Sequence, residues 1–429
     1  MLLTEELLYF IWRYQLFDHH NLRTTRGETV SVEHPGHFNS DAGPDFESAK
    51  IRIADSLWAG HIEIHCKEGD WKSHKHHLDA RYNTTILHVV WERGKTSISR
   101  SDGSMLPTLV LQEYVDLTML ERYGMLMRNL SWIPCQYGLH EVAGLTKIQC
   151  LDRMLVERLE VKMHYILDLL AKTKQNWEHV MLLLLGRSFG AKVNQSAFEE
   201  LVFKVKPQWL QKFRNDDTRI EALLFGLSGL LVGQANDDYP KMLAQEYEYM
   251  KKLLHLEPMR PEAWRFLRMR PYNFPTIRLG QLSALLCYDS CWFGRVRAEE
   301  DLHVLLHSLR HCRIHSYWST HFRFDKSANK SCNVGLADGF LYSLLLNCFI
   351  PILFSFGKFY DQPAYCHKAL RWLTEVPPER NNIVSAFNVA GIKAYTAADT
   401  QALLHLKKYY CDKKQCLGCV IGHAILRTS

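Results

Sequence analysis

The chain has 429 residues, of which 47% are hydrophobic and 23% charged, and it carries a formal charge of +6. These are the proportions of a globular protein long enough for two or three domains, and they exclude disorder on a large scale. The charge is uneven, because residues 1–92 hold nine lysines and arginines against fourteen acidic residues, while the remainder holds 43 against 32. An acidic module ahead of a basic one suits a cation site beside a phosphate-binding surface, and a mildly basic solvated surface accounts for the same counts.

The opening residues Met1–Glu6 lack a basic n-region and a small-residue cleavage site, so the expectation is a cytoplasmic protein without a secretory signal. Several of the twelve cysteines, such as Cys287 and Cys348, lie in apolar helical surroundings and read as reduced thiols rather than as a disulfide framework. Residues 340–357 form an uncharged run of 18, but Ser343, Asn347, Pro351 and Ser355 interrupt it. The run predicts a buried core helix, with no membrane as partner.

In chain order, Thr4 is an N-cap for a helix over residues 4–17 with an apolar face through Leu7, Ile11 and Tyr14. Alternating segments at 28–34 and 49–53 predict strands, and 58–66 predicts another, with Ile62 and Ile64 on one face and His61, Glu63 and His65 on the other. Asp70 then reads as the N-cap of a helix running through His74, His77 and Arg81. It is followed by a central strand at 85–91 and a further strand at 108–114. From Leu117 the apolar spacing becomes helical, with breaks at Lys206-Pro207, 236–238, 271–275 and 325–330. The expected architecture is an α/β domain with a mixed sheet over residues 1–115, an all-helical region over 116–405, and a cysteine-containing C-terminal segment, 406–429, packed on the body.

Two carboxylates carry the first chemical signal. Asp45 follows a Gly43-Pro44 turn, and Glu63 lies eighteen positions later, mid-strand between isoleucines. A lone carboxylate there is costly unless it binds a cation or accepts hydrogen bonds. Oxygen ligands of this kind hold Mg2+ or Mn2+, which polarises a phosphoryl oxygen and lowers the pKa of bound water. Histidines carry the second signal: six of the 22 fall between His61 and His88, and imidazoles suit Zn, Fe or Ni, although each alone is more simply a core or surface histidine.

The order helix, strands around Asp45 and Glu63-Ile64-His65, helix, strand resembles the core of the PD-(D/E)XK nucleases, also called restriction-endonuclease-like. Pro44-Asp45 and Glu63-x-His65 stand at the motif positions. The resemblance implies a metal site on Asp45 and Glu63 and places His65 where the family has lysine. A histidine there orients or deprotonates water without supplying a permanent charge. Lys67 is a substitute in the same strand phase, and the following helix offers His74, His77, Asp79 and Tyr82, of which His77 is taken as the catalytic candidate. Over nearly its whole length the chain is also similar to the bacterial domain-of-unknown-function family 2851, through segments 39–46, 58–65, 86–92 and 270–279. That likeness implies no activity.

Near the C-terminus Cys411, Cys416 and Cys419 form a C-x4-C-x2-C cluster, a pattern for a zinc site, while the nuclease resemblance implies an iron-sulfur cluster as the alternative. His423 is the local fourth ligand, with Cys332 and Cys366 as remote ones; some PD-(D/E)XK nucleases close their ends with an iron-sulfur cluster of this kind. Last, Arg268, Arg270, Asn273 and Arg278 cluster around two prolines, and Arg313, Arg323, Lys326 and Lys330 flank Trp318, Phe322 and Phe324. Arg270 and Arg278 are therefore candidates for contact with DNA or RNA, against the simpler reading of exposed helix faces. The expectation is a metal-dependent nuclease, the alternative being an inactive nucleic-acid- or protein-binding factor on the same fold.

Overall fold

Alternating and wholly apolar segments in the first third of the chain become six strands of one sheet. The computed structural model describes residues 3–427 apart from 96, 97, 215, 232–234, 329, 330 and 332, so Lys330 and Cys332 lie outside the described residues. The strands are β1 (Val30–His34), β2 (His37–Phe38), β3 (Phe46–Ile53), β4 (Ser56–Lys67), β5 (Thr85–Glu92) and β6 (Thr108–Val110). Their order is β1-β3-β4-β5-β6, with β2 pairing β3. β1, β3 and β4 form an antiparallel meander, whereas β5 runs parallel to β4 and β6 parallel to β5, so the sheet is mixed. β5 is buried from Thr85 to Trp91, as expected of a central strand covered on both faces.

The sheet belongs to a compact unit made of residues 1–152, 385–392 and 403–429. Its first helix, α1 (Glu5–Arg13), is capped by Thr4, whose Oγ1 accepts from the Leu7 N–H at 3.3 Å. The cap sets the phase that puts Leu7, Leu8, Ile11 and Trp12 into one core with Ile51, Ile62, Ile64, Leu87 and Val89. Ile62 and Ile64 are fully buried there, each worth about 1.5–3 kcal/mol. Leu120 and Tyr123 of α3 (Leu117–Arg128) and Leu426 of the C-terminal helix Val420–Arg427 complete that core.

The single helix expected from Asp70 to Arg81 does not form. One turn, α2 (Asp70–Ser73), is followed by Lys75 at φ 65° and then by 3-10 turns at His76–Leu78 and Ala80–Tyr82. The local cause is competition: the Asp79 side chain accepts the Arg81 N–H at 2.9 Å and its guanidinium as well, an arrangement helical geometry does not offer. Beyond β6 the expected strand turns into the 3-10 segment Leu111–Glu113.

Residues 153–384 and 393–402 form a second compact unit, mostly helical. Helices such as Trp177–Gly190 and Pro275–Tyr288 are apolar nearly all round, and they are buried accordingly. Prolines open helices at Pro207, Pro275 and Pro363, where a missing N–H costs nothing. The apolar run lies in a helix spanning Asp338–Phe359, and 72% of its most apolar window is buried inside the protein. It widens into a π-turn at Leu345–Phe349 just ahead of Pro351, whose ring would collide with the carbonyl one turn back. An unexpected short hairpin pairs His321–Arg323 with Lys326–Ser327, turning at Asp325 with φ 56°.

One close approach controls the sheet beside the carboxylates. A Cβ on Gly60 would lie 2.5 Å from the Thr84 carbonyl and 2.4 Å from Ile86 Cγ2, at the point where β4 enters its parallel pairing with β5. Gly60→Ala therefore forces these strands apart and is expected to destabilise the protein by about 1–3 kcal/mol, read as a lower midpoint in chemical denaturation.

Candidate metal centre

Asp45 is presented by a turn that its neighbours hold rigid. Asn39 donates its side-chain N–H to the Pro44 carbonyl at 3.1 Å and its backbone N–H to the Asp45 carbonyl at 2.8 Å. The Tyr82 hydroxyl donates to the Gly43 carbonyl at 3.3 Å. The Asp45 carboxylate then crosses to β4, where Oδ2 accepts from the Ile64 N–H at 2.8 Å, and the Asp45 N–H donates to Glu63 Oε2 at 3.2 Å. The two carboxylates are thus locked side by side, and the hydroxyl of Tyr9 on α1 donates to Asp45.

On the other side of Glu63 stand imidazoles. Glu63 Oε1 lies 3.1 Å from His76 Nε2 and 3.5 Å from His65 Nε2. His65 Nε2 also lies 3.1 Å from His74 Nδ1, and its Nδ1 lies 2.8 Å from His88 Nε2 on the neighbouring strand. One nitrogen each from His65, His74 and His76 falls within 4.8 Å of the others, a spacing able to hold a metal ion. Glu63, His65 and His88 are buried at 4%, 2% and 0% exposure, whereas His74 is exposed and opens the cluster to solvent. Behind it, His88 Nδ1 is buried without a hydrogen-bond partner among the described residues.

Burial dominates the electrostatics. It pushes Asp45 up to about 7, with the neighbouring Glu63 carboxylate adding to the effect, and pushes Glu63 up to about 8 despite the Asp45 N–H. It lowers His65 to about 3, helped by His76 and His74, and holds His88 well below the ordinary imidazole range. His65 and His88 are therefore uncharged at neutral pH, the form that ligates a metal. A divalent ion bound here would draw the protons off these two crowded carboxyls and accept the imidazole nitrogens beside them, so the donor set fits such an ion. Three nitrogens beside carboxylate oxygen favour Mn2+, Fe2+ or Zn2+ over Mg2+.

The structure brings Asp45, Glu63 and His65 together and adds His74. His76, not His77, is the histidine that meets Glu63, because the break at Lys75 turns the chain; the His76 ring packs 3.9 Å from that of Tyr82. Lys67 is exposed, and Asp79 pairs with Arg81. Tyr9, Asn39, His76 and His88 carried no separate sequence signal beyond the local density of histidines.

The other candidates divide. Arg278 is committed internally, to Gln281 Oε1 at 2.9 Å, to Asn273 Oδ1 at 2.7 Å and over the Phe340 ring at 4.2 Å. Arg270 is exposed. Trp318 is fully buried and stacked on Phe225, so it offers no face to a base. Arg323 lies over Phe266 at 4.0 Å.

A family model described as a protein of unknown function, DUF2851, matches residues 5–382. No curated protein and no solved structure matches the chain.

The raised carboxyls set a pH dependence. Asp45 and Glu63 titrate higher folded than unfolded, so their contribution to stability is fully present below the ordinary carboxyl range. It is lost as pH rises through about 7 and about 8. Metal-free protein should therefore melt at falling temperature between about pH 4 and pH 8, from the ordinary carboxyl range up to the raised values, and Mn2+ should remove most of the fall. Differential scanning fluorimetry with and without chelator checks this; Glu63→Gln, which cannot ionise, should flatten the profile.

Proposed function

Because the chain belongs to the DUF2851 family of proteins of unknown function, which carries no activity over, we propose from its own residues that it is a metal-dependent nuclease. It would hydrolyse phosphodiester bonds in DNA or RNA. The observation that carries this reading is the buried junction in which Glu63 accepts from the Asp45 N–H on one side and meets His76 and His65 on the other. The order of α1, the antiparallel strands, the turns after β4 and the parallel β5 supports a restriction-endonuclease-like core.

Glu63 with His65, His74 and His76 would hold a divalent transition ion, with Mn2+ the first choice. Once bound, such an ion supplies an acidic water and an electrophile for a phosphoryl oxygen. His65 titrates near 3, too low for an efficient proton acceptor at neutral pH, so its part is to ligate and orient, with its Nδ1 backed by His88. Asp45, held near 7 and fixed by Ile64 and Tyr9, is the better-matched acceptor for the proton of an attacking water. Arg270 is the exposed cation retained for the nucleic acid, while Arg278 serves the fold.

A second reading, a binding factor without catalysis, draws on one observation: Lys67 is exposed, and His65 occupies the position at which the nuclease pattern places lysine. The two are separated by cleavage assays with Mn2+ on single- and double-stranded DNA and RNA. Asp45→Asn should keep metal binding and lower the rate by about 10²–10⁴-fold, whereas Glu63→Gln should lose both. Binding of nucleic acid by wild type with no cleavage under any divalent ion would establish the second reading.

A further inference from the structure

The C-terminal cysteines have a partner that spacing along the chain does not reveal. Cys411 ends the turn Leu406–Cys411, Cys416 opens the 3-10 turn Cys416–Gly418, and Cys419 immediately precedes the helix Val420–Arg427. These three and Cys135, from the loop after α3, line one small apolar pocket together with Pro134, Tyr410, Gln415 and Gly422. None of the four cysteines is in a disulfide.

The surroundings are built to hold that arrangement. Asn129 fixes the loop that carries Cys135, donating to the Pro134 carbonyl at 2.8 Å and accepting from the Ser131 N–H at 2.9 Å. Lys414 donates to the Met127 carbonyl at the end of α3, tying the 411–416 loop to the same place. Gly422 lets the final helix press onto Cys416, since a Cβ there would lie 2.1 Å from the Cys416 carbonyl oxygen. His423, the local candidate for a fourth ligand, points away: its Nε2 meets the Leu417 carbonyl at 2.5 Å, and its ring packs against Phe10 and Tyr14. The thiol of Cys366 donates to the Phe354 carbonyl.

We propose that Cys135, Cys411, Cys416 and Cys419 bind a thiophilic metal centre through four thiolates, stapling the C-terminal segment to the loop after α3. Four soft ligands from two distant stretches of chain, gathered at a water-poor pocket, match a closed structural site rather than a catalytic one, which keeps an open position. Zinc and an iron-sulfur cluster share this ligand chemistry. Binding displaces one proton from each thiol and involves no change of oxidation state at the protein. Cys150, a further buried thiol that interacts with Cys419, is not among the residues that line the pocket.

The test uses the full chain purified anaerobically, with metal and acid-labile sulfide measured as isolated. Apoprotein is then titrated with Co2+, because only thiolate ligation gives an intense near-ultraviolet charge-transfer band and the histidine site does not. Zinc without sulfide identifies a mononuclear centre; iron with equimolar sulfide identifies a cluster. Cys135→Ser should lose the centre as completely as Cys416→Ser does, while Cys150→Ala and Cys366→Ser keep it. Should Cys135→Ser fail to fold, alkylation mapping of wild type decides: all four cysteines should become reactive together when the metal is chelated. Wild type without bound metal and without the cobalt-thiolate band overturns the proposal, as does full metal retention in Cys135→Ser or chelator-dependent reactivity that excludes Cys135.

Discussion

A carboxylate buried in the middle of a strand is the constraint on which the N-terminal unit turns. Glu63 is 4% exposed between two isoleucines that belong to the core, so β4 cannot slip by one residue without exchanging Ile62 and Ile64 for Glu63 and His65. The apolar face fixes the register, and the register delivers the polar face to one place. There the desolvation of Glu63 is offset in part by the Asp45 N–H and the neighbouring imidazoles.

The same constraint explains the irregular chain after β4. A regular helix from Asp70 would have placed His74 and His77 on one face and carried His76 away from the carboxylate. Breaking it at Lys75 and again around Asp79 costs helical hydrogen bonds, but it packs His76 between Glu63 and Tyr82 and leaves His74 at the opening. Tyr82 then acts twice, packing its tilted ring against His76 and bonding to the Gly43 carbonyl of the turn that presents Asp45.

The cysteine group answers a different need. Unit 1 is assembled from three separated stretches of chain, and the last of them supplies Leu426 to the sheet's core. A terminal segment of this length gains little from propensity alone, and a metal staple would contribute folding free energy directly. The pocket beside Gly422 is consistent with that role, and the site lies within the unit that holds the carboxylates without sharing any ligand with them.

Much of this could be read from the residues in order. Alternation and apolar runs located the helix at the start, the strands and the central β5, because those patterns follow from burial on one face or two; residues around Asp45 and Glu63 also marked the family. The break at Lys75 was hidden, since side-chain competition from Asp79 and the pull of Glu63 on His76 outweigh helix propensity only once β4 and the turn are in contact. Trp318 and Arg278 looked like a nucleic-acid surface because sequence shows residue types and not what covers them. The sequence by itself determined which side chains are available and which strand face is apolar. Tertiary structure decided the neighbours, His76 for Glu63 and Cys135 for Cys416, because such contacts join segments far apart in the chain through packing that no local pattern encodes.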